Sequence, residues 1–119
     1  MLTTEEKTQA VIAALEDIKA SDITVIDTSK HSSMFERMVI CSATSRRQTR
    51  AIADNVVEKI KERGENVLGR EGEDSGEWIL VDLGEVLVHV MQPAVRNYYN
   101  LEELWSKAQA IRPKLAQGL

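Results

Sequence analysis

The sequence is short of cysteine, aromatic residues and positive charge, and each shortage excludes something. Its one cysteine, Cys41, rules out an intramolecular disulfide and suits a reducing compartment. A formal net charge of −4 lacks the surplus of lysine and arginine that extended binding to a nucleic-acid backbone requires, which leaves only a local basic patch open. No segment approaches the ~18 consecutive apolar residues of a membrane span. The opening stretch, "MLTTEEKTQA", has neither the basic region nor the apolar run of a signal peptide, so a cytoplasmic location is expected. There is no P-loop, no G-x-G-x-x-G and no G-x-S-x-G. His31, His89 and Cys41 have no zinc-ligand spacing. Of the five aromatic residues, four follow residue 77: Trp78, Tyr98, Tyr99 and Trp105. Aromatics are enriched at binding hot spots, so contact is sought in that half of the chain.

What is present is enough for one domain with a single core: 119 residues, 43% of them hydrophobic. Thr3–Glu6 reads as a capping box ahead of Val11, Ile12, Leu15 and Ile18 at helical spacing. "ITVIDT" (residues 23–28) and "RMVICSA" (37–43) read as buried strands. Ser45 and Gln48 give a second capping signal, Ile52, Val56, Val57 and Ile60 a second helix, and Gly64 its end. "NVLGR" (66–70) is a weak strand, followed by the acidic turn-rich loop "EGEDSGE". Two strands then form a hairpin over 76–90, Pro93 blocks further pairing, and "AVRNYY" makes about one helical turn. Asn100 and Glu103 precede a closing helix with Leu101, Leu104 and Trp105, which Pro113 ends. This α-β-β-α-β-β-β-α order predicts an α/β (α+β) fold: a mixed sheet of about five strands, with the first two helices on one face.

With Leu83-Gly84 as the central turn residues, Asp82 pairs with Glu85 and Trp78 with His89. Strand alternation then puts Ile79, Val81, Val86, Val88 and Val90 under the helices. The other face carries Trp78, Leu80, Asp82, Glu85, Leu87 and His89, with Leu83 as an apolar tip. Unpaired carboxylates do not suit a core, and a solvated face needs no tryptophan, so this mixture fits a protein-binding patch. The competing reading is that the closing helix folds over it. Asp82 and Glu85 as an acid pair would lie on an exposed turn without a cleft. Arg46, Arg47 and Arg50, at a helix start, form the one candidate site for an anion or RNA.

The hairpin "GEWILVDLGEVLVHV", followed by Arg96-x-x-Tyr99-x-Leu101-Glu102-x-Leu104-Trp105, resembles the ribosomal silencing factor (Iojap-related) family. Upstream, Asp22-Ile23, "VIDT", "MVICSATSRRQTRAIAD" and "GREGEDSGEW" fit in the same order, so the likeness covers roughly residues 5–105. One departure is Glu85, where the family usually has Asp. The resemblance implies a single domain over 1–105 with a helix end and tail at 106–119, and a nucleotidyltransferase-like fold without catalysis, cofactor or metal. It implies docking on the large ribosomal subunit through its protein fourteen, which blocks the small subunit and lowers translation when nutrients are short. Trp78, Leu80, Asp82, Leu83, Glu85, Leu87 and His89, with Tyr99, would then meet the partner. A homodimer and incidental contact with ribosomal RNA are compatible with it. Two other readings stand beside it: a degenerate nucleotidyltransferase that still binds nucleotide, and an RNA-contacting assembly factor, both using the arginines.

Overall fold

The computed structural model describes residues 1–30 and 32–103. Thr3 opens α1 (Thr4–Asp17) with both bonds of a capping box: its hydroxyl accepts from the Glu6 N–H at 3.1 Å, and the Glu6 carboxylate accepts from the Thr3 N–H at 2.9 Å. β1 (Ser21–Asp27) and β2 (Arg37–Ser42) follow. Ser45 caps α2 (Arg46–Glu62) by accepting from the Gln48 N–H at 3.0 Å. The Gln48 carboxamide does not return to Ser45; it accepts from the N–H and hydroxyl of Thr44 at 2.7 and 2.9 Å. Gly64, with φ +81°, turns the chain out of α2, as a glycine beyond a helix end can. β3 (Gly69–Glu71), β4 (Trp78–Asp82) and β5 (Val86–Met91) come in the order predicted above, and α3 (Pro93–Tyr99) follows them.

Pro93 begins α3, where its missing N–H costs nothing, and "AVRNYY" becomes the rest of a seven-residue helix rather than a single turn. The third strand lies later than expected, at 69–71. Residues 101–103 are helical, and Asn100 accepts from the Glu103 N–H at 3.3 Å, as the N-x-x-E pattern predicts. Leu104, Trp105, Pro113, the tail and His31 lie outside the described residues.

The strands form one sheet in the order β1-β2-β5-β4-β3. β2 and β5 run parallel and every other pair is antiparallel. Helices α1 and α2 cover one face. Val11 and Leu15, Ile52, Val56 and Ile60, and Val39, Ile79, Val81, Val86, Val88 and Val90 are all 0% exposed there. Cys41 sits in this cluster, and burial pushes its thiol up to about 12, so it is chemically inert.

The hairpin register differs from the expected one by two residues. Asp82 pairs with Leu87, Leu80 with His89 and Trp78 with Met91. Gly84 and Glu85 are the central turn residues, the Leu83 N–H donates to the Val86 carbonyl at 3.0 Å, and Gly84 has φ +93°. The physical reason is that a two-residue hairpin turn needs positive φ at its first central position, which glycine supplies and leucine resists. A two-residue shift keeps the side chains of β4 and β5 on their predicted faces. It does overturn two expectations. Asp82 and Glu85 are not cross-strand partners. Leu83 is no apolar tip: it lies one position further from the turn, on the helix face, and is 2% exposed.

Candidate docking surface

Among the described residues, the side of the sheet away from α1 and α2 divides in two. Toward β1, Met38, Ile40 and Met91 are buried against Ile26, Phe35, Val95 and Leu101. Toward β3 the face opens. Trp78, Leu80, Asp82 and Leu87 are each half-buried. A shallow hollow of about 260 Å³ lies between Trp78, Leu80, Glu71 and Gly72. Beside it, Gly69, Arg70, Glu71, Leu80 and Asp82 line a smaller one of about 80 Å³.

Trp78 organises this surface. Its Nε1–H donates to His89 Nδ1 at 2.9 Å, and its ring lies 4.8 Å from that of Tyr99, which meets Tyr98 edge-on at 5.1 Å. His89 is 6% exposed, and burial pushes its pKa down to about 4, so it is neutral near pH 7. Because Nδ1 accepts, the hydrogen-bond pattern assigns the proton to Nε2, which has no partner among the described residues. The Asp82 carboxylate accepts from the Gly84 N–H at 2.9 Å and so braces the turn.

Two residues named from the sequence lie elsewhere. Leu83 is in the helix-face core. Glu85 faces α1, where the buried Lys7 ammonium reaches its carboxylate at 2.5 Å and the Leu83 carbonyl at 3.2 Å. The hydrogen bond from Lys7 holds the Glu85 carboxyl below the usual carboxylate range. Lys7 thus pins the hairpin tip to the first helix. Its spacing of four from Val11 was the available signal, since residues four apart share a helix face.

The arginines at the start of α2 hold the acidic loop. Arg46 pairs with Glu77 at 3.3 Å. Arg50 donates to the Glu73 carbonyl at 3.0 and 3.1 Å and to the Asp74 carbonyl at 3.1 Å. Arg47 is exposed. The loop closes tightly over β4: a Cβ on Gly72 would meet the Trp78 carbonyl oxygen at 1.9 Å.

Sequence reasoning also missed the role of Arg96. It is 8% exposed, and its guanidinium bonds Glu102 at 2.7 and 2.9 Å, the Asp22 carbonyl at 2.6 Å, Ser42 Oγ at 2.8 Å and Thr24 Oγ1 at 3.1 Å. Asp22 sits in a β-bulge with φ +49°, which gives the arginine its carbonyl. These bonds fasten α3 to β1 and β2. An arginine with an acid six residues later is too common a pattern to disclose this from sequence.

Among the described residues, no group of three or more His, Cys, Asp and Glu could hold a metal ion, and no helix is long and apolar enough to cross a membrane. The model of a family described as "Ribosomal silencing factor during starvation" matches residues 2–118. The chain belongs to the ribosomal silencing factor family. It is 52% identical over 114 residues to the ribosomal silencing factor of Chromobacterium violaceum, covering 96% of this chain and 91% of that one. The Bacillus subtilis ribosomal silencing factor is 42% identical over 96 residues, 81% of each chain. A mouse protein named "Mitochondrial assembly of ribosomal large subunit protein 1" is 32% identical over 99 residues, 81% of this chain and 43% of its own length. A crystal structure of a Chromobacterium violaceum protein superposes with a TM-score of 0.87 at 50% identity, covering 88% of both chains. A Bacillus halodurans structure does so with a TM-score of 0.78 at 35% identity, covering 85% of this chain and 94% of the other. Membership of this family agrees with ribosome-associated silencing of translation.

Proposed function

We propose that the protein represses translation by docking on the large ribosomal subunit, through its protein fourteen, with the open face of the β4–β5 hairpin, so that the small subunit cannot join. One observation carries the reading. On a sheet whose other face is sealed by α1 and α2, Trp78, Leu80 and Leu87 stay half-buried beside Asp82 and the exposed Glu71. Half-exposed aromatic and aliphatic groups rimmed by charge form the core-and-rim pattern of a protein interface. The carboxylates complement a basic partner, as ribosomal proteins usually are, and would speed its encounter. The action is steric and uses no bond-making step. Arg46 and Arg50 are already bonded to the acidic loop, which counts against their serving a nucleotide, while Arg47 is free to lie near ribosomal RNA.

The test is subunit joining followed by light scattering. Protein mixed with separated subunits is expected to cut the yield of joined ribosomes and to sediment with the large subunit alone. An unchanged yield at saturating protein would sink the reading.

A further inference from the structure

Tyr98 is 82% exposed and Tyr99 is 53% exposed, yet neither is loosely held. Tyr99 lies on Trp78, and Tyr98 stands edge-on against Tyr99, so three aromatic rings run without a break from the hairpin face onto α3. α3 has only seven residues, too short to hold its shape by helix propensity. Arg96, two and three positions before the tyrosines, makes up for that with its bonds to both strands and Glu102. Val95 packs α3 on the Met38, Ile40 and Met91 cluster, and the buried, multiply bonded Arg96 fixes its seat on β1 and β2. These bonds seat the helix from which Tyr98 projects against Tyr99. A preorganised aromatic loses little entropy on binding, which makes it a strong contact residue.

We infer that α3 carries the second half of the docking surface: Tyr98, positioned by Arg96, inserts into an apolar pocket of the same basic polypeptide that meets the hairpin face. This rests on the docking reading above. Continuity with the hairpin surface argues for one partner rather than two. The charge of that surface decides its class. Glu71 shares a hollow with Trp78, and Asp82 lies further along the same face beyond Leu80; an acidic surface favours a basic protein and disfavours the phosphates that accompany a stacked RNA base.

The experiment measures binding of the full chain to isolated bacterial large subunits by co-sedimentation, and to naked large-subunit RNA. Tyr98→Ala should bind subunits about tenfold more weakly with an unchanged unfolding temperature, whereas Tyr98→Phe, which keeps the ring, should bind nearly as wild type does. Arg96→Lys, in a variant that still unfolds cooperatively, should weaken binding by a similar factor. The double variant should be little weaker than either single one, because both act through one contact. A purely structural arginine would instead give additive losses, and that result would overturn its positioning role. Loss of binding in Trp78→Ala but none in Tyr98→Ala would leave the hairpin docked and overturn the α3 contact. Tyr98-dependent binding to naked RNA would overturn the choice of a polypeptide. Failure of the wild-type chain to bind subunits at all would remove the docking reading and this inference with it.

Discussion

The two faces of the sheet are built from alternating residues of the same strands, yet they differ in kind. Ile79 is 0% exposed under the helices, while Trp78, its neighbour in sequence, is half-buried on the other side. The helix face is almost wholly aliphatic and branched, closed by α1 and α2. The opposite face mixes tryptophan, tyrosine, leucine, a neutral histidine and carboxylates, and the described residues cover it toward β1. The contrast teaches that stability and recognition can be carried by one hairpin without competing. Pleating assigns them to alternate positions, and a substitution can address either one.

The largest way to break the contrast is to damage the sealed face. Ile79→Ala leaves a cavity where no solvent enters and should cost about 3 kcal/mol in urea unfolding, with docking intact while the chain is folded. A comparable effect comes from acid, through the His89 ring buried on the other face. Folded His89 is held near 4, whereas in the unfolded chain it titrates near 6.5. Between those values the unfolded chain takes up a proton that the folded chain refuses. Stability should therefore fall as pH drops from 6.5 toward 4, by up to ~3 kcal/mol. His89→Gln should flatten that window in a pH series of thermal melts. It should leave the separate loss below pH 4.5 that follows from the lowered Glu85 and Glu102 carboxyls. A smaller effect is expected at the rim of the open face. Gly72 has φ +95° and lies against the Trp78 carbonyl, so Gly72→Ala should displace the acidic loop at a cost of about 1–2 kcal/mol in the same urea assay.

Much of this architecture could be read in the chain because its signals are local. The capping residues Thr3 and Ser45, the period of the two long helices and the alternation through residues 78–90 each act over a few positions. Face assignment survived even a misplaced turn, since a shift of two residues preserves parity. What the chain did not disclose depends on distant partners. Leu83 is buried because α1 lies over the hairpin tip, and Glu85 is paired because Lys7 reaches it across 78 positions of sequence. Arg96 likewise finds Asp22, Thr24 and Ser42 only after the sheet has formed. The arginines at the start of α2 looked available for an anion, and the loop that occupies Arg46 and Arg50 is a tertiary neighbour. Of the face turned away from the helices, Trp78, Leu80, Asp82, Leu87 and Tyr99 were legible from strand parity and the aromatic motif, and so was His89, which the structure buries. Tyr98 stood out only as one of the late aromatics, since its place beside Tyr99 depends on how α3 packs.

The most direct measurement sets two adjacent residues against each other. Affinity for isolated large subunits would be determined for Trp78→Ala and Ile79→Ala at a temperature where both are folded. The account predicts that Trp78→Ala binds at least about tenfold more weakly while Ile79→Ala, though far less stable, binds as the wild type does. Equal affinities for the two variants would contradict the claim that the open face of the hairpin is where this protein meets the ribosome.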